Sequence, residues 1–191
     1  LKRLYLVRHA PTHARTMVGW TDLPADCSDA AGFARLGAIL PEGAALVSSD
    51  LARAIATADH LPGVRARLPH APGLRELNFG AWELRGFGEI EAEAPEHIRA
   101  FWETPGDIAA PGGESWNALA ERVWTALEAL LAKVPRDLVV VSHFGPIVAC
   151  IQRAEDLSAE AAFGHRIDNL SVTEIEVTGS TWRLLRANHL A

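Results

Sequence analysis

Only two cysteines, Cys27 and Cys150, occur in 191 residues, and no C-x-x-C pair is present. That scarcity excludes a disulfide framework and a thiolate metal cluster, and makes a reducing compartment the default. No apolar run approaches the roughly 20 residues needed to cross a bilayer. The alternating stretch Lys2 to Val7 meets Arg8 too soon to be the core of a secretion signal. A cytoplasmic location and no membrane partner are therefore expected. The first residue is Leu1 rather than Met, which leaves room for a trimmed start. Basic residues are also in deficit, 18 against 24 acidic ones, for a net charge of -6. Nucleic-acid binding usually needs a basic face, so nucleic acid is not expected as a partner, although a local pocket of arginines is compatible with this balance. Repeats, low-complexity tracts and interdomain linkers are missing, and residues 1–191 read as one domain with a real core. Oligomeric state is not legible.

What is present alternates between strand and helix signals. Leu4 to Val7 reads as a buried strand, and Pro11 to Cys27 as irregular chain. Ser28 or Asp29 can cap a helix running to about Leu40. Ala44 to Val47 is a short strand, after which Ser49 or Asp50 caps a helix through Ala58. Gly63 to Glu76 holds weak extended segments. Ala94 to Glu103 looks helical within an insert at about 84–111, bounded by Pro111-Gly112-Gly113. Leu119, Val123, Leu127, Leu130 and Val134 mark one face of a long helix. Leu138 to Val141 is apolar and β-branched, as in a central strand. Gly145 to Gln152 continues as a helix. Ser171 to Val177 and Thr181 to Arg186, joined by Gly179-Ser180, read as a hairpin. The alternation implies a layered α/β domain.

Two strings stand out: Leu6-Val7-Arg8-His9-Ala10-Pro11-Thr12 and Val140-Val141-Ser142-His143-Phe144-Gly145. In each, a buried strand delivers a histidine to its carboxyl end, the rim where open α/β sheets bind ligands. Phosphoryl transfer needs positive charge on the non-bridging oxygens, an in-line nucleophile and a proton for the leaving oxygen. A neutral imidazole is such a nucleophile when its other nitrogen is held as a donor. Arg8 can fork across two phosphate oxygens. Arg53 lies in the first turn of its helix, where guanidinium and helix end face the same anion. His143 can donate a further hydrogen bond. Glu76, in the aromatic-rich stretch Leu74 to Glu83, is the candidate acid, because a carboxyl group buried among such residues tends to keep its proton. Glu83 is its nearest rival.

These segments resemble the histidine phosphatase superfamily, the phosphoglycerate mutase-like enzymes. The first string resembles that family's Arg-His-Gly motif, Ser48 to Ala58 its second-arginine segment, Leu74 to Glu83 its acid loop, and Ser142-His143 its second histidine. Gly19-Trp20-Thr21-Asp22 and Gly112-Gly113-Glu114-Ser115 add weaker agreement. The resemblance implies a three-layer α/β/α sandwich with a mostly parallel mixed sheet. It implies that His9 becomes transiently phosphorylated, that Arg8, Arg53 and His143 hold the phosphate, and that Glu76 serves as acid and then base. No metal or other cofactor is implied.

Three positions depart from the family pattern. Ala10 and Phe144 replace glycines that follow the two histidines. The Phe144 ring is expected to narrow or reshape the pocket while its N–H still serves the substrate. Arg15 stands where relatives often carry an asparagine that touches phosphate; it is a candidate contact for a larger anion, with a plain surface role as the alternative. Trp20 is a candidate pocket wall. His13 follows His9 by four residues, but Pro11 argues against the helix that a metal pair would need. The stretch between Trp82 and Gly112 is short for a mutase, so the expected activity is a metal-independent phosphomonoesterase acting on a small phosphorylated metabolite. The wording Arg-His-Ala-Pro-Thr resembles some α-ribazole phosphatases. A phosphoglycerate mutase and a phosphate-ester-binding module without catalysis are the alternatives.

Overall fold

The computed structural model describes residues 1–190. Six strands form one sheet: β1 (Lys2–Arg8), β2 (Ala45–Ser48), β3 (Ala66–Arg67), β4 (Leu138–Ser142), β5 (Val172–Thr178) and β6 (Thr181–His189). Their order is β3-β2-β4-β1-β5-β6. The pairs β3/β2, β2/β4 and β4/β1 are parallel, whereas β1/β5 and β5/β6 are antiparallel. The expected mixed, mostly parallel arrangement is present, with the expected hairpin at its antiparallel edge.

Seven α-helices accompany the sheet among the described residues: α1 (Ala30–Ile39), α2 (Ala52–His60), α3 (Phe87–Glu93), α4 (Pro95–Glu103), α5 (Trp116–Lys133), α6 (Phe144–Glu155) and α7 (Ala159–Ala162). The alternation of side chains along a strand explains the layering. Leu4, Leu6, Leu138 and Val140 face one core, shared with α5, α6 and the insert helices α3 and α4. Tyr5, Val7, Val139 and Val141 face a second core, shared with α1 and α2. The central runs Leu4–Val7 of β1 and Leu138–Val141 of β4 are thus apolar and fully buried because both faces are covered.

Local chemistry accounts for most boundaries. Asp29 caps α1 by accepting from the Gly32 N–H at 2.9 Å. Ser115 caps α5 through the Ala118 N–H. The expectation for α2 needs correction, since neither Ser49 nor Asp50 caps it. The Ser49 hydroxyl is engaged with His143. Asp50 makes a two-point ion pair with Arg75 at 2.6 and 2.7 Å. The N–H of Ala52 is satisfied instead by the carboxylate of Asp22, at 2.6 Å, from a loop 30 residues away. In α5 the buried face runs through Leu131, with Leu130 only half-buried. Of the stretch Gly63 to Glu76, only Ala66–Arg67 pairs as a strand.

Candidate active site

Parallel pairing of β2, β4 and β1 brings three chain turns to one rim. Arg8 is level with Ser142, and Ser48 with Val141. The residues that follow, His9, His143 and Ser49, must then leave the sheet side by side. The His9 N–H donates to the Ser142 carbonyl at 3.1 Å, and the Ser49 N–H to that of Val141 at 3.1 Å. The two imidazole rings lie 5.1 Å apart, centre to centre.

The state of His9 is set by its neighbour. Its Nδ1 lies 2.6 Å from the Ala10 carbonyl oxygen. A carbonyl only accepts, so Nδ1 carries the hydrogen and a neutral ring leaves Nε2 with its lone pair. Burial, followed by the charges of Arg53 and Arg8, lowers the His9 pKa to about 3 against the pull of the Ala10 carbonyl, so the ring stays neutral near pH 7. Three contacts hold this turn. Asn169 donates to the His9 carbonyl at 2.8 Å. The Ala10 N–H donates to the Thr57 hydroxyl at 2.9 Å, and that hydroxyl donates to the Arg53 carbonyl at 2.7 Å. The Ala10 methyl, in place of the family glycine, is absorbed by the second core.

Among the described residues, Arg8 and Arg53 are two cations without a carboxylate partner. Arg53 is only 1% exposed. Its guanidinium donates to the Gly19 and Thr21 carbonyls at 2.6 and 2.8 Å. Arg8 donates to the Ile167 carbonyl at 2.5 Å, and its Nε is buried with no partner. Burial lowers the pKa of both groups. His143 is fully buried. Its Nε2 is 2.7 Å from the Ser49 hydroxyl and its Nδ1 has no partner. Burial, with His9 and the arginines behind it, keeps this ring neutral too. Two uncompensated guanidiniums and two orphaned buried ring or guanidinium nitrogens form a site short of negative charge and of acceptors, which a bound anion would supply.

Glu76 faces this cluster. One carboxylate oxygen accepts from the Leu77 and Gly145 N–H groups at 2.8 and 3.0 Å. Burial raises its pKa against the lowering effect of those bonds and of Arg53 and Arg8. Gly145 is needed for this approach, because a Cβ there would stand 2.3 Å from the Glu76 oxygen. Arg122 gathers the loop from behind. It donates to the carbonyls of Gly73, Arg75 and Glu76 at 2.9 to 3.2 Å and is itself held by Glu114. Glu83 is engaged elsewhere, accepting from the Gly19 and Trp20 N–H groups and the Thr21 hydroxyl. It therefore orders the loop whose carbonyls hold Arg53.

Arg8, His9, Arg53 and Glu76 line a single cavity of about 140 Å³, with Thr12, Thr16 and Val18 on its loop side. A larger cavity, about 450 Å³, opens beside Leu1, Lys2 and Trp182 at the other end of β1 and contains no such cluster. Arg15 is exposed and does not line the 140 Å³ cavity. Trp20 does not line it either; its Nε1 donates to the Glu76 carbonyl and its ring lies under the Arg75 guanidinium. His13 pairs with Asp26. Phe144 begins α6, with its ring 5.8 Å from the Arg8 guanidinium; contrary to expectation, neither it nor His143, which is buried beside His9, lines the 140 Å³ cavity. Asn169, Thr57, Ser49 and Arg122 are not legible in the sequence as site supports, since each acts across 46 or more residues.

Residues 4–190 match the Histidine phosphatase superfamily (branch 1). The chain belongs to this superfamily. Bifunctional protein Rv2228c of Mycobacterium tuberculosis (strain ATCC 25618 / H37Rv) is 32% identical over 199 residues, covering 94% of this chain and 52% of the relative. The chain thus spans about half the length of that curated relative. Probable phosphoglycerate mutase GpmB of Proteus mirabilis is 26% identical, covering 94% and 87%. Among solved structures, Bacillus stearothermophilus YhfR superposes with a TM-score of 0.90 at 27% identity, covering 100% and 98% of the two chains. The α-ribazole phosphatase from Shigella flexneri has a TM-score of 0.84 at 26% identity, covering 99% and 97%. Among the described residues of this superfamily member, no helix is long and apolar enough to cross a membrane.

Proposed function

We propose that residues 1–191 act as one catalytic unit, a phosphomonoesterase that works through a phosphohistidine. The observation that carries this reading is the locked tautomer of His9: the Ala10 carbonyl fixes the hydrogen on Nδ1, and the bare Nε2 shares a cavity with two unpaired guanidiniums and a carboxyl group of raised pKa.

Nε2 of His9 attacks phosphorus as the bond to the alcohol oxygen breaks. Protonated Glu76 gives its proton to that oxygen, and the alcohol leaves. Glu76, now a carboxylate, takes a proton from water. The hydroxide attacks the phosphoenzyme, the P–N bond breaks, and inorganic phosphate and neutral His9 are released. Arg8 and Arg53 stabilise charge on the equatorial oxygens throughout, joined by Nδ1 of His143 in the tautomer whose Nε2 accepts from the Ser49 hydroxyl. A 140 Å³ cavity suits a small phosphorylated metabolite, and the likeness to an α-ribazole phosphatase makes α-ribazole phosphate the first substrate to assay.

The test is a ³²P-labelled phosphomonoester quenched during turnover in excess chelator. An acid-labile, base-stable phosphoenzyme that disappears in His9→Ala is expected. Turnover without that intermediate, or turnover abolished by the chelator, overturns the mechanism. A mutase would instead isomerise phosphoglycerate with a bisphosphoglycerate primer and release little phosphate.

A further inference from the structure

A second, apolar compartment adjoins the phosphate cavity, and Glu76 is the wall they share. Phe79, Trp102, Trp116, Phe144 and Phe163 close around it, with no lysine or arginine among its lining residues. The rings pack on one another: Trp102 lies 6.0 Å from Phe79 and 6.1 Å from Phe163, and Phe163 meets Trp116 edge-on at 4.6 Å. Trp116 donates its N–H to Gln152 at 2.7 Å, whereas Trp102 Nε1 is buried with no partner among the described residues. These residues come from the acid loop, α4, the start of α5, the start of α6 and the segment after α7, so only the assembled fold makes the compartment. Phe144 belongs to the aromatic wall, and its ring lies 5.8 Å from the Arg8 guanidinium.

We infer that this compartment receives the first carbon atoms of the leaving alcohol, and that the preferred monoesters are those whose first carbons next to the leaving oxygen are apolar. The inference rests on the assignment of Glu76 as the acid. In-line displacement puts the leaving oxygen opposite His9 Nε2, and the acid must touch that oxygen. The atoms bonded to the leaving oxygen then stand at Glu76, where the aromatic wall begins. The space is about 50 Å³. At roughly 10–15 Å³ for each water-sized occupant, it holds about three to five non-hydrogen atoms. A carboxylate or a second phosphate placed there would meet apolar walls and no cation, which disfavours phosphoglycerates.

The test is kcat/KM for methyl, ethyl, propyl, butyl and hexyl phosphate, with 3-phosphoglycerate alongside. Each buried methylene should raise kcat/KM about fourfold, from the transfer value of a CH₂ group, with a plateau near butyl and with 3-phosphoglycerate below the alkyl series. Trp102→Ala and Phe163→Ala enlarge the compartment and should move the plateau to longer chains. Trp102→Phe, which keeps a ring, controls for misfolding and should retain the wild-type order. A flat alkyl series, a preference for 3-phosphoglycerate, or a length dependence that responds to Val18→Ala but not to Trp102→Ala overturns the inference. Labelled phosphoenzyme formed from methyl phosphate separates the two readings. If it forms while the series is flat, only this inference falls; if it never forms with any ester, the phosphohistidine mechanism falls first.

Discussion

Replacing Glu76 by glutamine removes one proton-transfer group and little else. The carboxylate oxygen that accepts from Leu77 and Gly145 at 2.8 and 3.0 Å can be reproduced by the amide oxygen. The new NH₂ then takes the place of the other oxygen, which meets the Gly145 N–H only at 3.3 Å. Both strong bonds survive, so stability should change by no more than about 1 kcal/mol. The chemistry should change far more. A positioned general acid contributes about 10²–10⁴ in rate, or about 3 to 5 kcal/mol of barrier. That loss applies only where the leaving oxygen needs a proton. An alkyl phosphate should therefore lose about 10³ in kcat/KM. p-Nitrophenyl phosphate, whose oxygen leaves as a stable anion, should transfer its phosphoryl group to His9 with less than about tenfold loss. The second half-reaction still lacks its base, so Glu76→Gln should release one equivalent of nitrophenol in a burst and then stall as phosphoenzyme. Stopped-flow absorbance with an alkyl/aryl pair measures both effects. Equal losses on the two esters, or the absence of a burst, would refute the role given to Glu76. Glu83→Gln is the contrast: its carboxylate orders the Gly19–Thr21 loop, so its loss should raise KM without sensitivity to the leaving group.

His9→Ala should abolish phosphoenzyme formation and turnover, with an unchanged far-ultraviolet circular dichroism spectrum. Acid should destabilise the wild-type fold in a defined window: the unfolded chain protonates His9 near pH 6.5 but the folded chain only near about 3, so stability is lost as pH falls through that interval. Urea denaturation at pH 7 and pH 4 should show a smaller loss in His9→Gln than in wild type. The raised pKa of Glu76 acts on activity in the other direction: kcat/KM for an alkyl phosphate should fall as pH rises through it, and this alkaline limb should be absent in Glu76→Gln. Arg122→Lys, which cannot reach three carbonyls and Glu114 at once, should depress kcat on alkyl phosphates more than on p-nitrophenyl phosphate, a split that a merely structural role would not give. Asp22→Ala uncaps α2 and should cost about 1 kcal/mol in urea unfolding, with a raised KM because Arg53 sits in the first turn of that helix.

The sequence by itself determined the strands and their layering. The apolar runs Leu4–Val7 and Leu138–Val141 could only be buried on both faces, and a histidine two residues past the end of each run had to emerge at the sheet rim. It also marked Arg8, Arg53 and Glu76, because each sits in a short segment whose neighbours limit its chemistry. Tertiary structure decided what those segments meet. Parallel pairing of β1 with β4 and of β4 with β2 put His9, His143 and Ser49 side by side, and strand register is a property of the assembled sheet. The cap on α2 comes from Asp22 rather than from the adjacent Ser49 or Asp50, because those two side chains are claimed by His143 and Arg75. Arg15 carries the right charge but is exposed, and the exposed loop around it is not constrained by local pattern. The aromatic compartment beside Glu76 draws on five separate segments. No window of sequence contains it, because packing of side chains distant along the chain is set only when the core closes.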